Sequence, residues 1–121
     1  MKQKDILIWS IILLTIATVA VYSITISKTD EGFAQCLTKE GVKFYGTYWC
    51  SHCANQKAMF GSSFENINYI ECSLPERAGT TQECIDAGVQ VYPTWGFADG
   101  TLVKGELTLQ ELSKRSNCEL K

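Results

Sequence analysis

With 121 residues and a formal net charge of −2, the chain has room for one small domain and lacks the basic footprint of a nucleic-acid binder. Its six cysteines are an even number at high density. In a reducing compartment they would point to metal ligands or catalysis, in an oxidising one to disulfides.

The N-terminus decides the compartment. Residues 1–5 form a short polar start, and the following 6–26, "ILIWSIILLTIATVAVYSITI", carry no charge. At 1.5 Å rise per residue this run is roughly 31 Å long, about the hydrocarbon thickness of a bilayer. A cleaved signal peptide has a shorter apolar core, of about 7–15 residues. The length therefore predicts a retained transmembrane helix, with cleavage at the small residues Thr18 and Ala20 as the alternative. Lys2 and Lys4 precede the span, whereas Lys28 follows it together with Asp30 and Glu31. The positive-inside rule then leaves the N-terminus in the cytoplasm and the remainder outside, in a periplasm, lumen or cell exterior. Disulfides persist on that side.

A linker is expected over 27–31 and a small domain over 32–121. Asp30 is positioned to cap a helix through "EGFAQCLTKE", with Phe33, Cys36 and Leu37 on one face and Gly41 as its stop. A strand is predicted over 42–49, "VKFYGTYW". After Cys50-Ser51-His52-Cys53, "ANQKAMFGSSF" has the spacing of a helix, weakened at Gly61. "INYIECS" (67–73) reads as a second strand with Ile67, Tyr69 and Glu71 opposed to Asn68, Ile70 and Cys72. "TTQECIDAGV" reads as a short helix capped by Thr80 or Thr81 and stopped by Gly88. "YPTWGFADGTLVKG" holds two strands around Asp99-Gly100, a two-residue hairpin signal. "TLQELSKRSNC" predicts a last helix capped by Thr108, with Leu109 and Leu112 inward. A strand–helix–strand unit followed by a hairpin and a closing helix gives an α/β fold of thioredoxin type: a central mixed sheet flanked by helices, preceded here by the transmembrane helix.

The cysteine pair falls where the first strand meets its helix. Haem attachment needs histidine after the second cysteine, and residue 54 is alanine. Structural zinc normally needs a second close cysteine pair, which Cys72 and Cys84 do not form. An inert disulfide is the bland alternative. A strand running into W-C-x-x-C and a helix is the recurrent context of a reactive dithiol. The unpaired N–H groups and positive end of the helix stabilise a thiolate at Cys50, and Cys53 lies a turn further in. Between them, Ser51 and His52 are the candidate tuning residues. A protonated His52 favours the thiolate and so makes the disulfide more oxidising.

"FAQCLTKEGVKFYG", "WCSHC" and "VYPTWGFADG" together resemble the thioredoxin-like domain fused to bacterial and plant vitamin K epoxide reductase homologues, over about residues 32–118. The resemblance implies that Cys50 is the exposed nucleophile and Cys53 the resolving thiol, with no cofactor beyond their own disulfide. It further implies that a quinone-linked membrane oxidase fills the pair, which then passes disulfides to exported proteins. This chain has one hydrophobic span and not a multi-helix quinone site, so the oxidase is expected in trans. "YPT" matches the cis-proline loop of thioredoxin-like folds, making Tyr92, Pro93 and Thr94, with Trp49, candidates for substrate binding. Trp49 and Trp95 each belong either to that rim or to the core. Thioredoxins carry a buried aspartate six residues before the first cysteine, where this chain has Phe44. The proton relay is thus left unassigned.

The other four cysteines admit three pairings. Cys72 follows a strand and Cys84 lies in the next helix, so a local bridge is natural and has a counterpart in the resembling family. Cys36 then pairs with Cys118. The rival is a second redox relay, in which one bridge exchanges with Cys50–Cys53. Three functional readings follow: a disulfide-donating oxidoreductase, a reductase or isomerase fed by a transmembrane electron donor, and a metal-binding or interaction module without turnover.

Overall fold

The computed structural model describes the backbone of residues 2–120 and, within it, the side chains outside 24–30. Helix α1 spans Gln3–Lys39. Its Gln3–Ser23 portion is long and apolar enough to cross a membrane, a test that a signal sequence near the N-terminus also meets. The expected linker at 27–31 is helical in backbone, so no helix begins at Asp30 for that residue to cap; its side chain is outside the described set. No proline interrupts α1, and extending an existing helix costs far less than nucleating a new one. Gly41 ends it with φ +76, while the Gly41 and Val42 amides bond back to the Thr38 and Leu37 carbonyls. That is a Schellman stop, which places a glycine where a Cβ would be strained.

Four short strands follow: β1 Lys43–Gly46, β2 Tyr69–Glu71, β3 Thr94–Gly96 and β4 Leu102–Lys104. They lie in the order β2-β1-β3-β4, with β1 parallel to β2 and antiparallel to β3, and β3 antiparallel to β4. Helices α2 (Ser51–Phe60), α3 (Gln82–Asp86) and α4 (Leu109–Ser116) complete a thioredoxin-like α/β fold. Period-two alternation sorts the strand residues between two cores. Phe44 and Trp95 join Phe33, Leu37, Phe60, Ile67 and Leu112 on one face. Tyr45 and Ile70 join Cys72, Cys84 and Val89 on the other. Trp95 is fully buried, which assigns it to the core and not the rim.

Several boundaries depart from the sequence expectations. β1 stops at Gly46, because the chain turns at Thr47 to present Cys50, whose amide bonds the Thr47 carbonyl at 3.3 Å. α2 ends at Phe60, with Gly61 at φ 54, and Gly61–Asn66 is a 3-10 helix. β2 does not alternate cleanly: Ile70 is buried and Tyr69 and Glu71 are half-buried, as both faces of this strand are covered. Thr81 precedes α3 without capping it, and its hydroxyl instead donates to the Glu71 carbonyl. The hairpin loop has three residues, Ala98 to Gly100. Phe97 and Thr101 close it, Gly100 alone takes φ +85, and the Asp99 carboxylate accepts from the Thr101 amide. A type I′ turn would need positive φ at both central residues, and Asp99 lacks it. Thr108 caps α4 in a reciprocal box with Glu111.

Candidate functional site

Cys50 is the N-cap of α2, in extended conformation, and its sulfur accepts the Cys53 amide at 3.2 Å. A helix N-terminus leaves such amides without carbonyl partners, and here a sulfur fills that place. Cys50 is half-buried and Cys53 wholly buried; both are free thiols. Burial pushes the Cys53 thiol up to about 12, its hydrogen bond with Cys50 adds to this, and the Thr47 backbone opposes it. Cys53 therefore stays protonated at neutral pH until it attacks. Gly46 makes room for it, since a Cβ there would lie 3.2 Å from the Cys53 sulfur and 3.2 Å from the Tyr69 ring.

Of the two intervening residues, Ser51 is exposed. His52 faces outward with its side chain 70% exposed, and its Nδ1 lies 2.6 Å from Glu106. Asn55 donates to the same carboxylate oxygen at 3.4 Å. The sequence reading gave His52 no anionic partner, and Glu106 offsets any cation there.

Trp49 is 42% exposed beside Cys50. Its indole N–H donates to Ser73 Oγ at 2.9 Å, its ring meets Tyr92 edge-on at 6.3 Å, and the Arg77 guanidinium lies over it at 5.2 Å. These residues with Thr47 and Thr80 line an open cavity of about 250 Å³. The Thr47 hydroxyl is buried and has no protein partner. Arg77 on this rim and its neighbour Glu76 hold φ of 59° and 57°, a strained conformation for non-glycine residues. Tyr92–Pro93 is a cis peptide bond. The Tyr92 hydroxyl pairs with Thr80 at 3.3 Å, and the Pro93 carbonyl accepts the Gly105 amide. Thr94 is buried, its hydroxyl donating to the Val91 carbonyl, so its side chain does not face the cavity opening.

Gln56, which the sequence did not single out, is buried in α2. Its oxygen accepts from the Trp95 indole and the Leu107 amide, and its NH₂ donates to the Leu107 carbonyl. One amide thereby fixes α2 against β3 and the loop entering α4. The remaining cysteines form two bridges, Cys36–Cys118 and Cys72–Cys84. Among the described residues no group of three or more His, Cys, Asp or Glu is placed to hold a metal ion.

No family model matches the chain. It is 38% identical over 104 residues to the thiol-disulfide oxidoreductase LTO1 of Arabidopsis thaliana, an alignment covering 78% of this chain and 27% of that protein. It is 26% identical over 73 residues to mycoredoxin 1 of Corynebacterium glutamicum, covering 60% of this chain and 90% of the relative. The chain thus spans about a quarter of the length of the first.

Proposed function

We propose that this chain, a thioredoxin-like thiol–disulfide oxidoreductase, donates disulfides to exported proteins while α1 holds it at a membrane. The observation that carries the reading is the unequal pair: a half-exposed Cys50 sulfur at a helix N-terminus, backed by a buried Cys53. A substrate thiolate attacks Cys50 Sγ of the Cys50–Cys53 disulfide. The S–S bond breaks, its electron pair leaves on Cys53, and Cys53 takes up a proton. A second substrate thiolate then attacks the substrate sulfur of the mixed disulfide, and Cys50 leaves as thiolate. Substrate loses two electrons and two protons, and the pair gains two electrons. A partner disulfide on a quinone-linked membrane oxidase, resembling vitamin K epoxide reductase, accepts those electrons and restores the pair. The cavity edged by Trp49, Arg77 and Tyr92 receives the substrate segment, with the Tyr92 backbone available to an extended strand.

The His52–Glu106 contact favours a second direction, reduction or isomerisation, because an anion beside His52 diminishes the field that stabilises a Cys50 thiolate. Equilibration of the pair with glutathione separates the two. A potential between about −120 and about −180 mV is expected, and one near about −270 mV overturns donation in favour of reduction. Cys53→Ala should accumulate mixed disulfides through Cys50 in cells, and their absence would remove exported thiols as partners.

A further inference from the structure

The buried Cys53 has to shed its proton each time the disulfide re-forms, and it takes one up each time it leaves. Position 44, on the strand leading to the pair, holds a phenylalanine and accepts nothing. The adjacent strand offers an alternative. Phe44 is in register with Tyr69 of β2, and the Tyr69 ring edge and Cys53 Sγ flank the same side of Gly46. Each lies 3.2 Å from the point a Gly46 Cβ would occupy, so they are at most twice that distance apart.

The Tyr69 hydroxyl donates to Glu71 Oε2 at 2.5 Å. The other carboxylate oxygen accepts the Ser73 amide at 2.9 Å, and Ser73 Oγ accepts the Trp49 indole N–H. The carboxylate is therefore fixed by two donors and linked through Ser73 to the residue preceding Cys50. Lys57 of α2 covers the Tyr69 ring, its Nζ 4.0 Å from the centroid. Phe44 and Phe64 enclose the ring on other sides without charge. The titratable groups facing Tyr69 are thus Glu71, Lys57, Cys50 and Cys53.

We propose that Tyr69 and Glu71 are the proton-handling pair for Cys53, occupying on β2 the role that Phe44 leaves vacant on β1. When Cys53 attacks a mixed disulfide on Cys50, the Cys50–Cys53 bond forms, the Cys50–substrate bond breaks, and the substrate leaves as thiolate. The Cys53 proton passes to the Tyr69–Glu71 pair, ending on the Glu71 carboxylate. In the opposite direction the pair returns it. Burial and the hydrogen bond to Glu71 hold the Tyr69 phenol above its usual range, so that this pair keeps its own proton at neutral pH and is ready to exchange it. The inference rests on the exchange chemistry proposed above.

The test uses the reduced full chain in detergent with a chromogenic aryl disulfide, followed by stopped flow. Attack by Cys50 releases one coloured thiolate, and attack by Cys53 on the resulting mixed disulfide releases a second. Tyr69→Phe keeps the ring, and Glu71→Gln keeps an acceptor for the Ser73 amide. Both should leave the first release unchanged and slow the second roughly tenfold or more at neutral pH. The deficit should close as pH rises, because hydroxide replaces the missing acceptor. A second release at the unmodified rate in both variants overturns the pair's role alone. Equal slowing of both releases, with no pH recovery, also overturns it by assigning the residues to structure. Absence of a second release in the unmodified chain overturns the exchange chemistry itself.

Discussion

Two junctions in this domain are built alike and differ in what their sulfurs are left free to do. At β1–α2, Cys50 follows the strand and Cys53 lies in the helix; at β2–α3, Cys72 follows the strand and Cys84 lies in the helix. The inner cysteines, Cys53 and Cys84, are both wholly buried. The outer ones part company. Cys50 caps its helix half-exposed, whereas Cys72 is fully buried and bridged to Cys84. Burial of one partner is thus common to both junctions, and presentation of the other at a helix N-terminus is what distinguishes a reactive pair from a fixed one.

The sharpest way to break this comparison is to remove each pair in turn. Cys50→Ser should abolish exchange with a model dithiol, whereas the double change Cys72→Ser and Cys84→Ser should retain it; loss of exchange in both would make the second junction a relay. Next in size is stability. Without the Cys36–Cys118 bridge, which closes a separation of 82, the chain should lose up to about 4.5 kcal/mol, and without Cys72–Cys84, separation 12, up to about 3 kcal/mol. Denaturant midpoints read both, and equal losses would refute the loop-length explanation.

A smaller effect comes from pH. Cys53 folded is raised from the ordinary 9.0 to about 12, chiefly by burial. Between those values the unfolded thiol has ionised and the folded one has not, so the native state holds more protons and stability falls as pH rises. The reduced chain should lose stability above about pH 9, and the chain oxidised at Cys50–Cys53 should not lose it through this group. Identical pH profiles for the two forms would place Cys53 in contact with solvent. Smallest of all, Glu106→Gln should make the pair more oxidising by no more than about 30 mV, measured against glutathione. No change would mean that the His52–Glu106 contact is electrostatically idle.

What was legible in the sequence was largely local. The Thr108 cap and its Glu111 partner are three residues apart, and the stop at Gly41 follows from the helix it ends, so pattern reading reached both. Period and turn signals likewise gave the order of strands and helices. The continuous α1 escaped it because Asp30 is a fair cap taken alone, and only the absence of a helix breaker upstream makes the cap redundant. The site's partners escaped for a different reason. Glu106 is 54 residues from His52, and Gln56 is 51 from Leu107, so nothing in the local pattern joins them. Gln56 looked like an ordinary polar helix position, yet Gln56→Leu would strand two buried donors. The Tyr69–Glu71 pair is local in spacing, but its bearing on Cys53 depends on the β1–β2 register and on the missing side chain at Gly46.

The Cys36–Cys118 bridge carries one more consequence, a mechanical one. Cys36 lies in the last turns of α1, and Cys118 follows α4 just beyond Asn117. The polypeptide enters and leaves the sheet at one covalently closed post. A tug between α1 and the segment beyond Cys118 is borne by that post, and the four strands hang from it unloaded. Cutting the bridge would reroute the same pull through β1, β2, β3 and β4.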